Sequence, residues 1–189
     1  MRVISGTIKG RRLQTVSGCA VRPTSDRVKE SMFNILADRC RDAKVLDLYA
    51  GSGALGIEAI SRGAGSVVFI DSSKHALTVL RQNLKHCNIE KQARVIRHNI
   101  ERNLNCLEES GLSFDMIFMD PPYRRNLVAK TLRHLMRCDV LANHGIIIAE
   151  HEPRCPIDLS GICLTLIDTR RYGSTQLSFF TESHGIAAP

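Results

Sequence analysis

Tryptophan is absent from the 189 residues, aromatics reach only 5%, and no apolar run approaches the roughly 20 residues that cross a bilayer. The longest such stretches are as short as Val67-Val68-Phe69-Ile70. The opening residues, Met1-Arg2-Val3-Ile4-Ser5-Gly6, lack the apolar stretch of a secretory signal. Seven cysteines are an odd number, and none forms a C-x-x-C pair, so neither a disulfide framework nor a zinc knuckle is signalled. They read as small buried hydrophobes in a reducing compartment, and a soluble, cytoplasmic, metal-free protein is expected. With 43% hydrophobic and 24% charged residues, disorder and low-complexity classes are excluded as well.

What is present in excess is positive charge, and it is uneven. Residues 1–44 carry ten basic residues against four acids; residues 45–189 carry 16 against 15. A basic segment on a neutral body suits phosphate-backbone binding, because neutralised phosphates release condensed counterions. A solvated, solubilising face is the bland alternative.

From residue 44 onward, short apolar runs alternate with helical patterns, the sign of βαβ units and a mostly parallel sheet. Strands are expected at 44–49, 66–71, 93–98, 114–120 and 145–150, with helices at 54–62, 74–87 and 127–138. The β-rich runs 162–168 and 176–180 would close the sheet as a hairpin. The chain thus divides into a basic N-terminal extension, residues 1–43, and an α/β domain, residues 44–189. Within the extension, Arg2 to Ser5 and Arg11 to Val16 suggest a small hairpin. Thr24 or Ser25 can cap a helix running to about Ala37. Apolar positions 28, 32, 35 and 36 would pack down, leaving Arg27, Lys29 and Glu30 elsewhere.

The first strand runs into Asp47-Leu48-Tyr49-Ala50-Gly51-Ser52-Gly53-Ala54-Leu55-Gly56. Glycines at a strand-to-helix turn permit a tight bend and close backbone approach to a ligand at the helix N-terminus. Residues 51–56 satisfy G-x-G-x-x-G, and Asp71 lies 20 residues beyond Gly51, so a dinucleotide must be weighed. Asp47 opposes it: a carboxylate beside the turn repels a pyrophosphate and welcomes an ammonium group. S-adenosylmethionine, with a cationic amino-acid end and an adenosine end, fits better. Gly51 and Gly53 would admit its methionine part, Asp47 would meet the ammonium, and Asp71 would accept from the ribose hydroxyls, although Asp71 can equally serve as a helix cap.

The fourth strand ends in Asp120-Pro121-Pro122-Tyr123. Two prolines stop the strand and stiffen the backbone at its carboxyl end, the edge where open α/β sheets bind ligands. Asp120 and the Pro121 carbonyl could accept hydrogen bonds from an exocyclic amine, and Tyr123 could stack on an extruded base. Such contacts would localise the amine's lone pair and stabilise the positive charge that develops on nitrogen.

These two motifs in this order resemble class I, S-adenosylmethionine-dependent, amino-group methyltransferases. Arg2-Val3-Ile4-Ser5-Gly6, Gly10-Arg11-Arg12-Leu13, Arg22-Pro23-Thr24-Ser25-Asp26-Arg27-Val28-Lys29-Glu30 and Tyr172-Gly173-Ser174-Thr175 narrow the likeness. They resemble the RsmD family, which methylates N2 of a guanine in 16S ribosomal RNA. The likeness spans essentially the whole chain, and the Arg-Pro-Thr stretch is its specific part. It implies a Rossmann-like α/β fold with helices on both faces of the sheet, and action on assembling small-subunit particles; a monomer is expected. It further implies that Asp120, Pro121 and Tyr123 handle the guanine and that Asp47, Gly51, Gly53 and Asp71 hold the cofactor. Arg22, Thr24 and Arg27 would build the cleft floor or contact RNA. One departure stands out: many relatives place an aspartate after the third strand to hold the adenine amine, where this chain has Asn99, whose amide oxygen can still accept.

Rival readings are a DNA adenine-N6 or cytosine-N4 methyltransferase, for which 189 residues leave little room for target recognition, and a non-catalytic RNA-binding assembly factor. His134 with Cys138, and His151 with Cys155, have metal-ligand spacing but lack the further ligands zinc requires. If the basic extension binds RNA, replacing Arg11 and Arg12 with glutamine weakens binding and flattens its salt dependence by roughly one to two units of logarithmic slope. Filter binding across a salt series measures both; unchanged affinity and slope would make the cluster decoration.

Overall fold

The computed structural model describes residues 1–16, 25–108, 111–122, 126–153 and 157–183. Seven strands form one sheet: β1 Lys44–Leu48, β2 Ser66–Asp71, β3 Ala93–Arg97, β4 Phe114–Met119, β5 Leu141–His151, β6 Leu164–Tyr172 and β7 Thr175–Glu182. The helices are α1 Asp26–Leu36, α2 Ala54–Ser61, α3 Lys74–Cys87 and α4 Leu127–Cys138. Strand order is β3-β2-β1-β4-β5-β7-β6; the first five strands are parallel, and β7 runs antiparallel between β5 and β6.

Alternation along each strand sends side chains to two buried layers. Val45, Met116, Phe118, Ile148 and Phe179 face α1, α2 and α3, meeting Met32, Phe33, Ile57 and Leu80. Leu46, Leu48, Ile117, Ile147 and Phe180 face the other way, against Leu132 and Leu135 of α4 and against Leu104 and Leu107. Helices on both faces and a predominantly parallel sheet make this a Rossmann-like α/β fold, as expected.

The N-terminal extension departs from the sequence reading in two ways. Its hairpin is carried by a single bridge, Arg2 with Arg12, rather than by two strands. Val3 and Leu13 are buried in the same core layer as α1, so the extension is fastened to the α/β body. In α1, capped by Ser25, the buried face is Val28, Lys29, Met32, Phe33 and Leu36, whereas Ile35 is 38% exposed. Lys29, expected on the solvent side, is fully buried.

The reason is Glu58, the lone acid of the otherwise apolar α2 and likewise fully buried. Its Oε2 lies 3.2 Å from Lys29 Nζ, and its Oε1 accepts from Arg62 Nε at 2.9 Å. The same two oxygens accept the Ile4 and Ser5 amides at 2.8 and 3.0 Å, while Lys29 donates to the Arg2 carbonyl at 2.6 Å. Gly6 follows at φ +86°, where an added Cβ would fall 1.7 Å from the Ser61 carbonyl oxygen. One carboxylate therefore fastens residues 2–5, α1 and α2 together.

Removing one partner of a buried pair strands the other. Glu58→Ala is expected to cost about 3–5 kcal/mol in urea unfolding, and Glu58→Met with Lys29→Met less than the sum of the single changes. Additive losses would show that the pair is not coupled.

Candidate active site

Strand order reverses at β1: its connection through α2 leads to β2 on one side, whereas β4 pairs on the other and leads through α4 to β5. The carboxyl ends of strands diverge at such a point and leave a crevice. Register fixes what meets there. Leu48 is opposite Met119, so the residues after each strand leave the sheet side by side. A cavity of about 200 Å³ lies between them, walled by Asp47, Tyr49, Gly51, Asp71, Asp120 and Pro122. The two motifs singled out in the sequence therefore share one cavity.

The glycine turn is built as its composition requires. Gly51 and Gly53 have φ of +56° and +83°. At Gly51 an added Cβ would meet only the Tyr49 carbonyl oxygen, 3.9 Å away, so the backbone is open on that side; at Gly53 it would strike Leu80 Cδ1 at 2.2 Å. Gly56 brings α2 onto β2, since a Cβ there would lie 2.3 Å from the Phe69 ring. Tyr49 also takes a left-handed φ, +58°, and its hydroxyl pairs with the buried Thr131 of α4 at 2.8 Å. Burial pushes this phenol up to about 12, against the Thr131 bond.

Asp47 is 2% exposed, and its Oδ2 accepts the Gly56 amide at 2.9 Å. Desolvation pushes its carboxyl up to about 8; the Gly56 bond opposes this, and the charge of Asp71 adds to it. A buried acid held largely protonated in a cavity wall is a favourable place for a cationic group, which would restore its charge. Asp71 accepts the Gly51 amide through Oδ2 at 2.9 Å and the Ser73 amide through Oδ1 at 2.8 Å. Asp71 thus fixes the turn as well as lining the cavity, and carboxylate oxygens keep capacity for further donors.

The remaining expected residues divide. Pro121 is buried between Asp120 and Pro122. Asn99, after β3, is exposed and is not among the residues lining this cavity; its Oδ1 accepts the Glu101 amide at 3.1 Å. Arg11, Arg12 and Arg27 are exposed and do not line the cavity either. Tyr123, Arg22 and Thr24 lie outside the described residues. His134 Nδ1 is 3.3 Å from the Ile100 carbonyl, and Cys138 Sγ is 3.5 Å from the Leu104 carbonyl, contacts that anchor α4 to a loop.

Sequence reasoning missed the wall contributed by the extension. Met1, Thr15 and Val16 line the cavity. Asn83 holds that segment: it accepts the Gln14 amide at 2.8 Å, donates to the Gln14 carbonyl at 3.0 Å and donates to the Ser52 carbonyl at 2.9 Å. An asparagine on the buried face of α3, beside Leu80, Leu84 and Cys87, was the available signal, because a buried amide demands partners.

A family model described as conserved hypothetical protein 95 matches residues 1–181. The chain is 39% identical over 184 residues to YlbH of Bacillus subtilis (strain 168), covering 96% of this chain and 99% of that one. It is 38% identical over 152 residues to ribosomal RNA small subunit methyltransferase D of Escherichia coli (strain K12), covering 80% and 75% respectively. The solved structure of the Escherichia coli protein yhhF is similar at a TM-score of 0.85 and 32% identity, over 98% of this chain and 99% of that one.

Asp47 makes a testable contribution to stability. A carboxyl raised from 3.8 to about 8 in the fold binds more protons folded than unfolded, so stability falls as pH rises between those values. Asp47→Asn removes that slope. Thermal melts without ligand are therefore expected to show the variant gaining on the parent from pH 5 to pH 8; a constant gap would refute the assignment.

Proposed function

Since this chain belongs to the RsmD family, whose model is described as conserved hypothetical protein 95, we propose that it transfers a methyl group from S-adenosylmethionine to the exocyclic N2 amine of a guanine in 16S ribosomal RNA. The natural setting for this reaction is an assembling small-subunit particle in the cytoplasm. The single observation that carries the reading is that Asp47, Gly51, Asp71 and Asp120 wall one cavity.

The residues present fit the cofactor. The buried Asp47 carboxyl suits its ammonium group, the open side of Gly51 suits close approach of its methionine part, and Asp71 suits the ribose hydroxyls. When bound, S-adenosylmethionine supplies a methyl group on a positively charged sulfur, which departs as a neutral thioether.

The chain's own work falls on the amine. An exocyclic amine on a purine is a poor nucleophile because its lone pair is delocalised into the ring. Asp120 and the Pro121 carbonyl accept its two N–H bonds, favouring a pyramidal nitrogen with a localised pair. As the nitrogen bonds carbon it becomes positive, and the Asp120 carboxylate stabilises that charge. The extra proton becomes acidic only after the new bond forms, so Asp120 acts as an acceptor throughout and need not remove a proton first. The two prolines stiffen the corner that carries both acceptors, supplying orientation. Tyr123 is the natural stacking partner for the extruded base.

Asp120→Ala is expected to lower turnover by about 100-fold or more while leaving S-adenosylmethionine affinity within a few fold, since the lost contact matters at the transition state. The assay uses labelled S-adenosylmethionine with small-subunit particles from cells lacking the methyl group, followed by mass spectrometry of digested RNA for N2-methylguanine. Label in another base, or full activity of the variant, would contradict the proposal.

A further inference from the structure

The near-neutral total of residues 45–189 hides a second basic block. Residues 74–102 hold seven lysines and arginines against two acids, Glu90 and Glu101, and three histidines besides. They make up α3, edge strand β3 and the segments around them. Lys74, Arg81 and Lys85 are exposed and lie at i, i+7 and i+11 of α3, on one stripe along the helix.

The stripe begins at the cavity. Lys74 follows Ser73, which lines it, and Arg97 donates to the Ser72 carbonyl at 3.3 Å. It ends beside the extension. Arg11 lies close enough to Cys87, the last residue of α3, to oppose the rise of its thiol pKa, and Asn83 ties Gln14 to the same helix. This resolves where Arg11 and Arg12 stand. They do not line the cavity themselves, but the segment that carries them does, and Asn83 joins that segment to α3.

Two observations bear on the role of this face. Lys74 and His75 open α3, where the helix dipole favours acids and disfavours cations, so helix stability does not account for them. Some arginines elsewhere are held in ion pairs: Arg133 with Asp158 at 3.4 Å and Arg170 with Asp168 at 3.0 Å. Among the described residues, no ion pair engages Lys74, Arg81, Lys85 or Arg97.

Taking ribosomal RNA as the substrate, as proposed above, we infer that the outer face of α3 with Arg97, Arg11 and Arg12 is the track on which the RNA phosphate backbone lies as its target base enters the cavity. The contacts are to phosphates and carry no sequence preference; they set the register of the RNA, leaving base choice to the corner at Asp120. The occupant is RNA rather than an acidic protein because the stripe starts at the wall of the cavity that the target base must enter, so the backbone on either side of that base has to cross it.

The test is a triple variant, Lys74→Gln, Arg81→Gln and Lys85→Gln, which retains good helix formers at exposed positions. Binding of transcribed small-subunit RNA and of small-subunit particles is measured across a salt series, with circular dichroism as a check on folding. The expected result is affinity lower by about 10-fold or more and a logarithmic salt slope shallower by about two to three. Arg133→Gln with Arg170→Gln, which removes paired charges, keeps the parent's affinity and slope. Three results would overturn the inference. The triple variant does not differ from a parent that methylates particles, in which case the enzymatic reading survives alone. The double variant weakens equally, so only net charge matters. Or affinity falls for particles but not for protein-free RNA, so the face docks an acidic protein. A parent that neither binds nor methylates small-subunit RNA removes both readings together.

Discussion

Parallel pairing of β1 with β4 is the constraint from which the site follows. Neither Asp47 nor Asp120 can choose its neighbours; Asp47 is the penultimate residue of β1, Asp120 directly follows β4, and the Leu48–Met119 register brings the two ends level. A slip of one residue would reverse the face to which every side chain of one strand points, taking Asp47 away from α2 and the Gly56 amide it accepts. Apolar residues on both faces of both strands resist such a slip, because either face would lose a packed layer. The cavity therefore owes its position to hydrophobic patterning and its chemistry to the few polar residues at the strand ends.

A second set of constraints is polar and buried. Glu58 and Asn83 join the N-terminal segment to the α/β body using side chains that would be costly to bury unpaired. Their geometry fixes that segment in one register, so residues 15 and 16 become a wall of the cavity. The extension is thus part of the site as well as a carrier of charge. Asn83 of α3 binds Gln14, which sets the extension's arginines beside the basic face of that helix.

Much of this was legible in the residues. Strands β1 to β4 and helices α2, α3 and α4 fall within a residue of their expected limits, because alternating apolar runs, the turn glycines and the Asp-Pro-Pro corner are local signals. What failed was non-local. The buried face of α1 was misphased because Lys29 is held inside by Glu58, 29 positions away, and a periodicity count treats any lysine as solvent-facing. β5 begins four residues earlier than expected, at Leu141, where it pairs with Phe114 ahead of a register shift. The basic character of residues 74–102 vanished when averaged with acidic neighbours. Asn99 Oδ1 accepts the Glu101 amide within its own turn, and the residue is not among those lining the cavity.

Methyl transfer requires that the donor and the target amine meet over the same rim of the sheet. A crystal structure with S-adenosylhomocysteine tests that most directly. The account predicts the amino-acid end against Asp47 and Gly51, the ribose at Asp71, and the sulfur facing the Asp120 corner. A ligand seated elsewhere, or a sulfur turned away from Asp120, would contradict it.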